Sequence, residues 1–147
     1  MIQHEITRVR ALLDSNGNIA EPGFARSPLP VYSRRAVKAP ALRIKEWDYY
    51  LVGNGRFALA LTVADNGYMG LDSISFIDLE NRWQHTVSPM SVLPLGRRRM
   101  PESSGRGDVN ASGKGYSISF RHIVGGRKLS FEMADFSGGL PIRGDIV

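Results

Sequence analysis

The chain has 147 residues, which is enough for one domain with its own hydrophobic core. Its composition is 42% hydrophobic and 22% charged, as expected of a soluble globular protein, and no apolar run is long enough to cross a bilayer. The absence of cysteine excludes disulfides, thiolate metal sites and a cysteine nucleophile. Residues 1–10 lack the apolar segment of a signal peptide, so we expect a cytoplasmic protein.

The net charge is +5, and basic residues cluster in residues 34–38 and 97–99. Nucleic-acid binding would need such patches together with stacking aromatics or a known reader motif. No helix-turn-helix, zinc-finger or RNA-reading signature is present. We therefore interpret the basic clusters as solvated loop charges and expect no nucleic-acid partner.

Residues 1–41 are predicted to form a Pro-rich N-terminal arm. Within it, residues 5–13 are compatible with a short strand or a turn of helix, and residues 14–18 (DSNGN) predict a turn. Residues 22–42 contain four prolines and show little periodicity, which is typical of an ordered arm or a connecting loop.

From residue 42 onwards, short runs of strand-forming residues alternate with glycine turns, which predicts an antiparallel all-β domain over residues 42–147. The predicted strands cover residues 42–52, 56–65, 70–79, 83–95, 116–124 and 127–134, and a Gly/Ser/Arg-rich loop covers 96–114. Residues 141–147 (PIRGDIV) read as the opening of a further strand. No stretch of ten residues or more has helical periodicity.

The register of the first hairpin is predicted from the GNG sequence at residues 53–55. A three-residue loop would pair Trp47 with Leu61 and Tyr49 with Leu59. The face that results is apolar on both strands, as a core face should be. Its members are Trp47, Tyr49, Leu51, Phe57, Leu59, Leu61 and Val63.

The same register would place two carboxylates, Glu46 and Asp48, beside Tyr50 on the opposite face. Small residues, mostly alanines, face them from the neighbouring strand. Alanine is uncommon in strands because its side chain offers little surface to pack, so we expect another part of the protein or a ligand to lie close to this face. Same-face neighbours lie about 6.6 Å apart, so the two acids can converge, and an enclosed site would keep one of them protonated for acid–base catalysis. We interpret Glu46, Asp48 and Tyr50 as candidate catalytic residues. The alternative is a half-exposed edge strand whose acids face water and whose alanines are covered by the arm.

The candidate ligand-binding residues lie on the second strand of this hairpin and in the turn after it. They are Ala58, Ala60, Thr62, Asp65 and Tyr68. Asp65 precedes Asn-Gly and is first of all a turn former. Tyr68 is interpreted either as a core aromatic or as a cavity wall.

A second hairpin is predicted around Gly125-Gly126. A two-residue turn would pair Phe120 with Phe131 and place His122 on the apolar face, as a hydrogen-bonded core histidine. The histidines have no metal-ligand spacing, so no metal site is predicted.

The loop over residues 96–114 carries no cofactor motif, because the Gly-Lys-Ser/Thr of a Walker sequence is absent, and we predict no cofactor. Its arginines could bind an anionic ligand. The RGD sequence at residues 106–108 is interpreted as chance.

Several motifs, in order along the chain, resemble the start of domain-of-unknown-function family 2804. They are the segment from LLDSNGNIAEPGF to EWDYYLVGN, then ALTVADNGYMG, LPLG and SSGRGDV. Because members of that family are longer, the resemblance implies that these residues are the N-terminal portion of a longer protein. The all-β pattern is also similar to that of two-part lipocalin-like proteins, which include carotenoid hydratases. This similarity implies a calycin-type barrel, half-barrel or sandwich with a ligand space.

Three functions are compatible with these features. The first is a β-barrel-type module that binds a small, largely apolar ligand. The second is an enzyme of hydratase, lyase or isomerase type that uses Glu46 or Asp48 with Tyr50. The third is a structural half-domain without independent activity. We also expect self-association or pairing with a C-terminal half, and no membrane span.

Overall fold

The computed structural model describes residues 3–147. The chain divides into two compact units, Met1–Pro40 and Ala41–Val147, and the two larger sheets belong to the second unit. In the described residues, no helix is long and apolar enough to span a membrane.

The first unit contains a short parallel pair of strands, β1 (Arg10–Ala11) and β2 (Pro30–Val31), and a 3-10 turn at Arg34–Ala36. The Asp14 carboxylate accepts hydrogen bonds from the backbone N–H groups of Asn16 and Asn18, each at 2.9 Å. These bonds close the turn that the DSNGN sequence predicts.

The second unit is built from antiparallel strands arranged in two sheets. Its strands are β3 (Glu46–Gly53), β4 (Phe57–Asp65), β5 (Met69–Asp78), β6 (Trp83–Val87), β7 (Met90–Val92), β8 (Val109–Gly113), β9 (Tyr116–Ile123), β10 (Gly126–Ser137) and β11 (Leu140–Ile146). The first sheet has the order β3-β4-β5-β6, with β7 also pairing with β5, and the second sheet has the order β11-β10-β9-β8. Neither sheet closes into a barrel. The all-β prediction is therefore confirmed in its half-barrel or sandwich form.

The core lies between the two sheets, because each sheet turns one apolar face toward the other. Tyr50 of the first sheet meets Phe120 of the second edge-on, with their ring centres 4.7 Å apart. Buried core residues come from both sheets and from the loop between β7 and β8. They include Leu59, Leu61, Val63, Ile74, Met100, Val109, Ile118, Phe120, Leu129, Phe131, Met133 and Phe136.

The predicted register of the β3–β4 hairpin is wrong by three residues. Tyr50 pairs with Leu61, and Trp47 pairs with Ala64. The turn is shorter than predicted, because the Asn54 side chain accepts hydrogen bonds from the N–H groups of Arg56 and Phe57 and closes a two-residue loop. An odd shift moves one strand's side chains to the other face. The apolar residues of β4 are buried as predicted, whereas Trp47, Tyr49 and Leu51 face outward and are exposed.

The register of the β9–β10 hairpin differs from the prediction by two residues. Phe120 pairs with Leu129, and the turn residues are Val124 and Gly125, the latter with a positive φ of 81°. Because an even shift leaves each side chain on its face, the predicted core face is still buried. The prediction of a core histidine is wrong, because His122 lies beyond Phe120, near the turn, and is exposed.

The predicted loop over residues 96–114 is shorter in the structure, because its last part forms β8. Val109 faces the core and pairs with Phe120. The sequence does not predict β8 as a strand, because its residues are mostly small and polar. β8 lies at the edge of the second sheet, where few large apolar side chains are required. The remaining loop, residues 93–108, crosses the sandwich between β7 and β8.

Candidate functional site

The structure separates the residues that the sequence places on one face. Glu46, Asp48 and Tyr50 lie on the inner face of β3, which turns toward the second sheet. Ala58, Ala60 and Thr62 lie on the outer face of β4, where they are paired with Gly53, Leu51 and Tyr49. The acids therefore do not share a cavity floor with the alanines. The cause is the three-residue change of register.

Tyr50 reaches a shallow cleft of about 460 Å³ at the end of the sandwich, which we call the hairpin cleft. Tyr50 comes from the edge strand of the first sheet, and the other walls come from the β9–β10 hairpin and from the loop over residues 93–108. The cleft is lined by Tyr50, Ser104, His122, Ile123, Gly125, Gly126 and Arg127. The guanidinium of Arg127 lies 5.8 Å from the centre of the Tyr50 ring.

The loop over residues 93–108 is held against the hairpin by hydrogen bonds. Arg127 donates to the carbonyl oxygens of Ser104 at 2.9 Å and Gly107 at 3.1 Å. The His122 ring lies 3.3 Å from the same Ser104 oxygen, and the His122 backbone N–H donates to the Asp108 carboxylate at 2.8 Å. The last two residues of the RGD sequence thus take part in anchoring the loop.

Asp48 lies two residues before Tyr50 on the same face and interacts electrostatically with Arg127. Burial raises the pKa of Asp48, while the positive charge of Arg127 acts in the opposite direction. Burial also raises the pKa of the Tyr50 hydroxyl, with Arg127 lowering it and Asp48 raising it. Both groups therefore hold a proton more firmly than they would in water.

Replacing Asp48 with asparagine is expected to raise the Tm at neutral pH. A group whose pKa is higher in the folded protein binds protons more tightly there, so its contribution to stability becomes less favourable as the pH rises through its pKa. At a pH above the folded-state pKa of Asp48, the ionised side chain destabilises the parent. Below the unfolded pKa of aspartate, about 3.9, this destabilisation is absent. The difference in Tm between Asp48→Asn and parent should therefore shrink as the pH is lowered.

Asp78→Asn is the control for this measurement, because the effect should have the opposite sign. Hydrogen bonds from Asn81 lower the pKa of Asp78, so its contribution is present above the unfolded pKa and is lost as the pH falls. Thermal melting of parent and both variants across the acid range checks the prediction. Equal melting of parent and Asp48→Asn at every pH would contradict it.

A separate polar cluster is buried near the end of β4 and the start of β5, where Asp72 lies in one cross-strand row with Val63 and Asp48. The carboxylate of Asp72 accepts hydrogen bonds from both terminal nitrogens of Arg98, one of them at 3.0 Å, and from the hydroxyl of Tyr116 at 2.7 Å. Burial, followed by the hydrogen bond to Asp72, raises the pKa of Tyr116 to about 12. Gly70 makes room for this arrangement, because a Cβ there would lie 2.7 Å from a guanidinium nitrogen of Arg98.

Asp65 and Glu46 belong to this end of the sheet. Asp65 is buried, accepts the Gly67 N–H at 3.0 Å as the predicted turn former, and also lies 3.4 Å from the backbone nitrogen of Arg98. Glu46 is its cross-strand partner and is also buried. Tyr68 lies in the next turn, half exposed, with the Lys45 ammonium 4.5 Å from its ring centre. Asp65 and Tyr68 thus lie away from the hairpin cleft.

Local sequence patterns did not identify Asp72, Arg98, Tyr116 and Arg127 as partners. One signal for the polar cluster was present: in LDSISF, residues 71–76, Asp72 alternates with Ile74 and Phe76 on what had to be a core face. A carboxylate on a core face requires a buried donor. Among the described residues, no group of three or more His, Asp or Glu side chains is placed to hold a metal ion.

The fold and these two sites define an antiparallel β-sandwich with an internal ion-pair network and an open cleft between its sheets. The chain belongs to the family described as Domain of unknown function (DUF2804), whose model matches residues 3–147. This match confirms the resemblance found in the sequence. No curated protein and no solved structure matches the chain.

Proposed function

We propose that the protein binds a small, largely apolar molecule in the hairpin cleft. One observation carries the proposal: Tyr50 from one sheet and His122 and Arg127 from the other meet around an open volume of about 460 Å³. Ligand sites of small molecules have volumes of this order, with apolar walls and a few polar groups that fix orientation. The ring of Tyr50 and the partly exposed Ile123 offer the apolar contacts.

Titration of the full chain with N-phenyl-1-naphthylamine, a neutral aromatic molecule, tests the proposal. We expect saturable binding of one molecule per chain, with changes in amide chemical shifts centred on Tyr50, Ser104 and residues 121–127. Binding that does not saturate would overturn the proposal. So would shifts centred instead on the exposed outer-face residues Trp47 and Tyr49.

An acid–base enzyme of hydratase, lyase or isomerase type is a second candidate function. The observation that favours it is the burial of Asp48 beside Tyr50, which raises the pKa of both groups. A raised pKa keeps a carboxyl group protonated to a higher pH than in water, which is the direction of change that a general acid requires. Asp48 is the proposed acid and Tyr50 the proposed hydrogen-bond donor. Glu46, the buried cross-strand partner of Asp65, is assigned no step in this candidate.

A role in assembly is a third candidate, and it includes self-association and pairing with a C-terminal half of a longer chain. It is favoured by the contrast between the outer faces of the two sheets. The outer face of β9 and β10 carries Arg121, Lys128 and Glu132. The outer face of β3, β4 and β5 carries uncharged residues: Trp47, Tyr49, Leu51, Ala58, Ala60, Thr62, Ala64, Leu71, Ser73, Ser75 and Ile77. Trp47, Tyr49 and Leu51 on this face are exposed, whereas Ala60, Ala64 and Ser73 are buried. Exposed apolar patches with aromatic residues are typical of interaction surfaces.

A further inference from the structure

We propose that the ligand of the hairpin cleft is an organic anion, whose charged group binds Arg127 and whose apolar body lies against Tyr50. This inference rests on the proposed binding function and adds the chemical class of the ligand. It also assigns Arg127 as the residue that selects this class.

The described residues that line the cleft include the cationic Arg127 and no aspartate or glutamate. The carboxylates of Asp48 and Asp108 lie outside the lining, where Asp108 accepts the backbone N–H of His122 and Asp48 interacts electrostatically with Arg127. Arg121 and Lys128 lie on the opposite, outer face of the hairpin, where Lys128 pairs with Asp145, so the positive charge that faces the cleft is that of Arg127. A concave site with a cationic wall and low-dielectric surroundings attracts anions.

Two arginines of the same unit show what is special about Arg127. Arg98 has its counter-ion inside the protein, because the Asp72 carboxylate takes both of its terminal nitrogens. The hydrogen bonds that Arg127 donates within the described chain go to neutral backbone carbonyls, those of Ser104, Gly107 and Phe120. Arg98 therefore forms a structural ion pair, whereas the acceptors of Arg127 are neutral carbonyls, and its interaction with the Asp48 carboxylate is electrostatic rather than a hydrogen bond.

An incoming carboxylate or sulfonate can improve on these acceptors. An anionic acceptor adds a charge–charge attraction that a neutral carbonyl lacks, and the planar guanidinium can donate two parallel hydrogen bonds to a carboxylate or sulfonate. The anion would take the place of the Ser104 and Gly107 carbonyls, which belong to the loop over residues 93–108. The imidazole of His122, next to the same Ser104 oxygen, can donate a further hydrogen bond.

The apolar body of the ligand has a defined place beside this anion site. The Tyr50 ring lies 5.8 Å from the Arg127 guanidinium, so a molecule a few ångströms long can contact both. A volume of about 460 Å³ accommodates an aromatic or aliphatic body of moderate size. The ligand class is therefore an amphiphilic organic acid and not free phosphate or a neutral lipid.

A matched pair of probes tests the assignment: 8-anilinonaphthalene-1-sulfonate carries a sulfonate, and N-phenyl-1-naphthylamine has the same ring skeleton without it. In fluorescence titrations of the full chain, we expect the sulfonate to bind about ten-fold more tightly or better. Arg127→Gln should weaken binding of the sulfonate far more than binding of the neutral probe, so that the ratio of the two affinities falls to about one. Arg121→Gln, which makes the same change of charge on the exposed outer face, should preserve the preference for the sulfonate.

The outcomes distinguish failure of this inference from failure of the binding function. Equal affinity of the two probes for the parent would overturn the anion assignment while leaving the binding site in place, and this comparison needs no variant. Equal losses of sulfonate affinity in Arg127→Gln and Arg121→Gln would also overturn it, because general electrostatic attraction would then explain the preference. If neither probe binds, the binding function itself is refuted.

Discussion

Replacing Asp72 with asparagine is expected to lower the free energy of unfolding by about 3–5 kcal/mol. The Asp72 side chain is only 1% exposed and that of Arg98 only 17%, so the variant leaves a guanidinium in a poorly solvated place without its counter-ion. The hydroxyl of Tyr116 loses its charged acceptor in the same step. Most of this loss of stability arises because the buried charge of Arg98 is left without a counter-ion. The loss is therefore larger than the net contribution of the intact ion pair to stability.

Asp145→Asn provides the matched control, because Asp145 also forms an ion pair, with Lys128 at 3.1 Å, but on the exposed face of the second sheet. Exposed pairs contribute about 0–1 kcal/mol, so the control should unfold nearly as the parent does. Urea unfolding of the three proteins at pH 7 measures both differences. Similar small losses in the two variants would show that the Arg98–Asp72 pair is solvated and does not fasten the loop to the first sheet.

The polar cluster explains why the loop over residues 93–108 has a fixed path. Arg98 lies in a segment with four residues at positive φ, of which Leu93, Leu95 and Arg99 are not glycine. Such backbone conformations cost free energy and persist only where surrounding contacts enforce them. The ion pair at Arg98 and the burial of Met100 supply those contacts at one end of the loop. Arg127 and Asp108 supply them at the other end, where the loop forms a wall of the hairpin cleft.

Local sequence was sufficient to predict the all-β class, most of the strands and the inner face of β4. In β4, alanines alternate with large residues such as Leu61, so a single face can be buried. The residues of β3 gave no such guidance, because the face that carries Trp47 and Leu51 is more apolar than the face that carries Asp48. The choice between the faces depends on the turn made by Asn54 and on the partners of polar groups far away in the sequence.

Only part of the candidate site could be predicted, again because the partners of its residues lie far away in the sequence. Asp48 and Tyr50 were identified from their strand, but Arg127 is contributed by a different hairpin of the other sheet, and no local pattern links it to Tyr50. Arg98 was grouped with loop arginines that could bind an anion, whereas it is bound by Asp72 within the fold. Which arginine has an internal counter-ion is a property of the tertiary structure alone.

Two truncations in the β3–β4 hairpin distinguish the observed register from the one inferred from local sequence. Leu61→Ala should lower the free energy of unfolding by about 2–5 kcal/mol, because Leu61 is 0% exposed and its removal leaves a cavity between the sheets. Trp47→Ala should change it by less than about 1 kcal/mol, because the Trp47 side chain lies on the outer face and is 61% exposed. In the inferred register the two residues are neighbours on one core face, and both truncations would be costly.

The double variant makes the comparison sharper. Residues on opposite faces of a sheet share no packing partners, so the effects of Leu61→Ala and Trp47→Ala should add to within about 0.5 kcal/mol. Neighbours on one core face would instead show coupling, because the first truncation already loosens the site of the second. Chemical denaturation of the parent, the two single variants and the double variant gives all four free energies. A loss of about 3 kcal/mol or more for Trp47→Ala, together with coupling to Leu61, would mean that the aromatic side chains of β3 face the core and that Asp48 and Tyr50 do not reach the hairpin cleft.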